Sequence, residues 1–148
     1  MRAVIQRVSQ ASVHVAEQEV GVIAKGLLVY LGVAREDGEA DLAYLEKKIL
    51  GLRVFEDEHE RMQHHVVDVG GSVLLISQFT LFGDVRRGRR PSFTEAAEPE
   101  RADTLYRTLR ERLAQHVPVE AGVFRAHMDV RASVDGPVTI LVDSRKAF

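Results

Sequence analysis

The 148-residue sequence predicts an α+β fold around a mostly antiparallel sheet. Three observations point there. Runs with strand character fill the first and last thirds of the chain. Two stretches carry a helical apolar stripe. The resulting order, strands, helix, strands, helix, strands, lacks the regular alternation of a parallel βαβ fold.

Taken in order, Arg2 to Ser9 is rich in β-branched residues, and Ala11 to Val15 alternates small or apolar with polar positions. Val20 to Ala24 continues the pattern after Glu17-Gln18-Glu19, which predicts a hairpin. Leu27 to Val33 is a continuous apolar run, expected of a strand buried on both faces. From Gly38 to about Arg53, residues Leu42, Leu45, Ile49 and Leu52 make one helical stripe, with Asp37 as the expected N-cap. Gly70-Gly71 marks a turn into a strand expected over Ser72 to Leu81. Ala102, Leu105, Tyr106, Leu109 and Leu113 form the stripe of a second helix, from Pro99 to about His116 and stopped by Pro118. Strands are expected again over Val123 to Ser133 and Val138 to Asp143, on either side of Asp135-Gly136-Pro137. With no internal repeat and no low-complexity segment, residues 1–148 are expected to form a single domain.

Composition narrows the chemistry. Hydrophobic residues at 45% and charged residues at 28% are those of a globular protein. The absence of Cys excludes disulfides, a thiolate nucleophile, iron–sulfur clusters and sulfur-ligated zinc. No apolar run approaches the roughly 20 residues of a membrane helix, and the first residues do not resemble a signal peptide. A soluble cytoplasmic protein without membrane contact is expected. His59, His64 and His65 lie in a charged stretch that reads as a solvated loop, so neither a metal site nor a cofactor is expected. Dinucleotide, phosphate-loop and nucleophile-elbow signatures are all missing: Gly21 and Gly26 are followed by Leu27-Leu28, and Gly70-Gly71-Ser72 lacks the second elbow glycine.

Charge is uneven although the net value is only −2. Glu36 to Glu60 holds nine acids against three bases, while Asp84 to Phe93 holds four Arg (Arg86, Arg87, Arg89, Arg90) against one acid. On charge alone, that Arg cluster is either a solvated loop or a grip for the phosphates of a small RNA or nucleotide. Ser77, Gln78 and Thr80 follow a wholly apolar Val73 to Ile76. Polar groups there need turn partners or a ligand.

These segments together resemble the D-aminoacyl-tRNA deacylase family nearly end to end. The resemblance rests on Gln6-Arg7-Val8, Gly26-Leu27-Leu28-Val29, Gly70-Gly71-Ser72-Val73, Ser77-Gln78-Phe79-Thr80-Leu81, Arg90-Pro91-Ser92-Phe93 and Gly136-Pro137-Val138-Thr139. It implies a sheet curled into a partly closed barrel with two principal helices. It also implies a hydrolase that cleaves the ester of D-aminoacyl-tRNA at its 3′ end, and a homodimer with active sites at the subunit interface. Ser77, Gln78, Phe79 and Thr80 would form the catalytic wall. Gly136 and Pro137 would be a Gly-cisPro motif that reaches into the partner's site and rejects L-aminoacyl-tRNA. Arg7 would hold that motif, and Phe124 and Met128 would lie near the pocket. A gate that works by excluding a side chain also implies activity on glycine mischarged onto tRNA(Ala). Val134 stands where Asn is frequent, Arg125 where a small residue is usual, and Gln63-His64-His65 where Asn often occurs. A non-enzymatic RNA-binding module and an amino-acid-binding regulatory domain are the competing expectations.

Overall fold

Buried strands at the centre of the chain organise everything else. The structure is a computed structural model describing residues 1–148. Its elements are β1 (Arg2–Val15), β2 (Gln18–Ile23), β3 (Gly26–Gly32), α1 (Glu39–Gly51), β4 (Phe55–Glu56), β5 (Met62–His64) and β6 (Ser72–Ser77). A 3₁₀ turn over Phe79–Phe82 follows, then α2 (Pro99–Ala114), β7 (Val119–Ala121) and β8 (Asp129–Asp143).

The main sheet runs β2-β1-β3-β6-β7, with β8 paired to β1. Its pairs involving β1 are antiparallel, whereas β3-β6 and β6-β7 are parallel. The sheet is therefore mixed, with antiparallel pairs in the majority, and it curls into a nearly closed barrel. Alternation sorts the side chains of β3 and β6. Leu27, Val29, Leu31, Val73 and Leu75 face the helices, in one core with Leu42, Leu45, Ile49, Tyr106, Leu109 and Leu113. Leu28, Leu74 and Ile76 face the other way, onto Val8, Ala11, Val13 and Ile23 inside the barrel. Each fully buried side chain of this size contributes about 1.5–3 kcal/mol relative to exposure.

Five expectations about element boundaries need correction. Asp37 is not the N-cap of α1. Its carboxylate is buried, 2.8 Å from the Met1 ammonium, and accepts the Ala34 N–H at 2.6 Å. Gly38 caps the helix instead, its N–H donating to the Asp41 carboxylate at 2.9 Å. The two helices end at Gly51 and Ala114, each about two residues short of expectation. Strand β6 stops at Ser77 rather than Leu81, because its parallel partner β3 ends at Gly32 and offers no further ladder. Residues 122–128 form no strand, and β8 begins only at Asp129. Once started, β8 continues to Asp143, and the expected break at Asp135-Gly136-Pro137 is a bulge opposite Arg7, between the pairs Val8↔Val134 and Gln6↔Thr139.

Candidate active site

The end of β6 opens onto a cavity of about 490 Å³, lined there by Ile76, Ser77, Gln78 and Phe79. Ala97, Pro99, Ala102 and Tyr106 of α2 and its approach close one side, and Phe124 to Met128 close another. The Gln78 N–H makes the last ladder-like bond, to the Leu31 carbonyl at 2.7 Å. The chain then enters the 3₁₀ turn, where the N–H groups of Leu81 and Gly83 donate to Gln78 and Thr80. The N–H groups of Phe79 and Thr80 come first in that turn and have no carbonyl within it to bond. Two adjacent free amides at a strand end are the donors that an oxyanion needs.

Of the catalytic wall expected from sequence, Ser77 and Gln78 are half-buried and line the cavity. Phe79 also lines it while remaining 57% exposed, in edge-to-face contact with Phe93 at 5.0 Å. Thr80 is exposed and outside the lining, its hydroxyl taking a hydrogen bond from the Gln78 amide. Phe124 and Met128 both face the cavity, Phe124 packed on Tyr106 at 6.0 Å. Gly122 anchors this wall: a Cβ there would lie 2.4 Å from the Met128 sulfur.

Arg7, Gly136 and Pro137 come together elsewhere, and none of them lines the cavity. Arg7 is 5% exposed. Its guanidinium donates to the Val54 carbonyl at 2.7 Å and the Asp135 carbonyl at 3.2 Å, and sits 3.2 Å from the Asp135 carboxylate and 3.5 Å from Glu56. Gly136 has φ +125, a conformation that side chains resist, and a Cβ there would meet Val138 at 2.8 Å. The Gly136-Pro137 peptide is cis, and both residues are exposed.

The Arg cluster occupies a loop closed by paired backbone bonds between Asp84 and Ser92, at 2.8 and 3.0 Å. Arg86 is bound to Asp84 at 2.7 Å, and that side-chain hydrogen bond holds the Asp84 carboxyl far below the usual carboxylate range. Arg87, Arg89 and Arg90 are exposed and form no ion pair. His59, His64 and His65 lie around the small β4-β5 hairpin, and no cluster of three metal-binding side chains occurs.

Sequence reasoning missed Tyr106 as part of the site. It was visible only as one member of the α2 stripe, yet its hydroxyl donates to the Leu75 carbonyl at 2.8 Å. Burial pushes its pKa up to about 12. Ala97, Pro99 and Ala102 were also missed, because small residues signal open space only once their neighbours are known.

A polar strand end with free amides beside a mostly apolar cavity has the donors that a hydrolytic enzyme needs. Comparison with known proteins places it more narrowly. The chain belongs to the D-Tyr-tRNA(Tyr) deacylase family, whose model matches residues 4–143. It is 56% identical to the D-aminoacyl-tRNA deacylase of Symbiobacterium thermophilum, covering 100% of this chain and 99% of that one. The Thermotoga petrophila protein of the same name is 55% identical, with both chains covered in full. Among solved structures, the c-Myc DNA Unwinding Element Binding Protein superposes with a TM-score of 0.92 at 39% identity, covering 97% of this chain and 98% of that one. A probable eukaryotic D-amino acid tRNA deacylase, 17% identical with a TM-score of 0.82 over 95% and 97% of the two chains, shares the fold.

Proposed function

We propose that this chain is a single deacylase domain that hydrolyses the ester joining a D-amino acid to the 3′ end of tRNA, releasing free D-amino acid and tRNA. The observation that carries this reading is the Ser77–Thr80 strand end, with its unbonded amides beside the cavity. Water attacks the ester carbonyl, helped by the neighbouring 2′-OH of the terminal ribose. The Phe79 and Thr80 N–H groups stabilise the oxyanion, and Ser77 and Gln78 orient the reacting groups. The Thr80 hydroxyl is not the nucleophile in this scheme, because no His, Asp or Glu lies in its segment to activate it.

Handedness is set by exclusion. Gly136 and Pro137 of a second copy reach the cavity of the first, so the working unit is a homodimer with shared sites. A fixed obstacle raises the energy of the L substrate, whose side chain collides with it. Glycine on tRNA(Ala) carries no side chain to collide and is accepted. The exposed bulge and its separation from the cavity within one chain support this arrangement. The free Arg87, Arg89 and Arg90 contact tRNA phosphates, with Arg86 held aside by Asp84. The enzyme works in the cytoplasm, where aminoacyl-tRNA is found.

Incubation with D-tyrosyl-tRNA, L-tyrosyl-tRNA, glycyl-tRNA(Ala) and free D-tyrosine tests the reading. Release of D-tyrosine and glycine, with L-tyrosyl-tRNA left intact, is the expected pattern. Binding without turnover would favour an RNA-binding or amino-acid-binding protein instead.

A further inference from the structure

The crossing from Gly122 to Met128 brings two side chains to the cavity that the proposed chemistry leaves unused. Phe124, Ala126 and Met128 are half-buried along this crossing, whereas Arg125 and His127 are exposed, yet both line the cavity. The crossing is pinned by Gly122 beneath Met128, by Phe124 against Tyr106 and by the Ala126 N–H bonded to the Val123 carbonyl at 3.1 Å. Within it, Arg125 has φ +66, in the left-handed region that L side chains disfavour. Arg125 is third in the turn that the Ala126–Val123 bond closes. Ala16, Glu17, Glu60 and Lys146 also sit in turns or near a chain end, but of the five Arg125 alone lines the cavity. Positive φ is what the third position of such a turn requires, and the turn places Arg125 in the cavity wall.

The electrostatics name a task for that wall. Neither Arg125 nor His127 takes part in an ion pair or side-chain hydrogen bond, and the nearby Asp129 is held by Arg131 at 2.7 Å. No Asp or Glu lines the cavity, whose other polar side chains are Ser77, Gln78 and Tyr106. A guanidinium and an imidazole without acidic partners, beside an apolar space, offer charge-assisted donors to an anion and nothing that repels one.

We propose that Arg125 and His127 form an anion-binding subsite on the cavity rim, which holds a phosphate or carboxylate oxygen of the bound aminoacyl-tRNA. This rests on the deacylase reading. The anion has two possible sources, the phosphodiester next to the terminal ribose and the carboxylate of an acidic D-amino acid.

The test compares wild type, Arg125→Gly, Arg125→Lys and His127→Gln on D-tyrosyl-tRNA, D-aspartyl-tRNA and D-tyrosyl-adenosine, which carries the ester without a phosphate. Arg125→Gly suits φ +66, so the fold is kept, and a melting curve verifies it. A KM about tenfold higher on both tRNAs, with kcat within about twofold and D-tyrosyl-adenosine unaffected, identifies the phosphate. Loss confined to D-aspartyl-tRNA identifies the side-chain carboxylate. In either case Arg125→Lys recovers part of the loss and His127→Gln shows a smaller one. Unchanged kinetics on all three substrates, or an equal loss on D-tyrosyl-adenosine, would overturn the subsite. A wild type inactive on every substrate overturns the deacylase reading itself. Binding of an uncharged tRNA 3′-end hairpin still judges the subsite in that event, with binding equal in wild type and Arg125→Gly counting against it.

Discussion

Arg7 ties the Gly136 turn, through the Asp135 carbonyl and carboxylate, to the Val54 carbonyl and Glu56 carboxylate, from a position almost closed to solvent. Thr80, at the other candidate region, is exposed, and its side chain is joined only to that of Gln78. The bulge is overdetermined by its own chain, while the strand end keeps the Phe79 and Thr80 amides unbonded. A part that discriminates by collision must not yield, whereas a part that stabilises developing charge needs unengaged donors. The proposed function puts rejection at the first region and chemistry at the second.

Removing the anchor breaks the comparison most severely. Arg7→Ala leaves the Val54 carbonyl without its donor and frees the turn, which should lower stability by about 2 kcal/mol in urea unfolding. Hydrolysis of L-tyrosyl-tRNA should rise at least tenfold, by about 1.4 kcal/mol of lost discrimination. Gly136→Ala comes next. Its Cβ meets the Val138 backbone N at 3.0 Å and the conformation itself resists a side chain, a cost of about 1–3 kcal/mol. Its counterpart Gly122→Ala presses on the flexible Met128 side chain instead. D-tyrosyl-tRNA turnover should fall in Gly122→Ala while L rejection persists, the reverse of the Gly136→Ala outcome. Parallel assays of both variants on both enantiomers decide whether the two roles separate.

Tyr106 sharpens the cavity side. Its folded pKa of about 12 exceeds the ordinary 10.0, so the neutral hydroxyl is favoured by folding. That contribution is complete below pH 10 and lost as pH rises through about 12. Tyr106→Phe should cost about 1 kcal/mol at neutral pH. It should also flatten the alkaline end of a stability-versus-pH curve, which thermal melts at stepped pH will show. The smallest effect is expected at Thr80. Thr80→Ala and Thr80→Val should each keep D-tyrosyl-tRNA turnover within about tenfold, or 1.4 kcal/mol. Loss of all chemistry in both variants with normal tRNA binding would give the hydroxyl a direct role.

Much of this contrast was legible in the residues themselves. The unbroken apolar runs Leu27 to Leu31 and Val73 to Ile76 declared strands covered on both faces, and both bury completely apart from Tyr30. The polar interruption at Ser77-Gln78 called for turn partners or a ligand, and both residues line the cavity. Boundaries set by distant partners were not legible. Strand β6 ends where β3 leaves it, and Asp37 forsakes the helix cap for the Met1 ammonium. Nor does sequence spacing show that Arg7 meets residue 135 across the β1-β8 pairing, or that Tyr106 of α2 reaches the cavity. Such placements follow from tertiary packing, which a local pattern does not encode.

Because the chain has no cysteine, engineered thiols test the shared site without background. Asp135→Cys sits beside the Gly136 bulge and Thr80→Cys at the strand end. Mixed under mild oxidation, these two variants should form a covalent dimer of twice the 16.5 kDa chain mass, with neither variant cross-linking to the same extent alone. A chain carrying both cysteines that closes a disulfide within itself, or a mixture that stays monomeric while still rejecting L-tyrosyl-tRNA, would contradict the proposal that two copies complete each site.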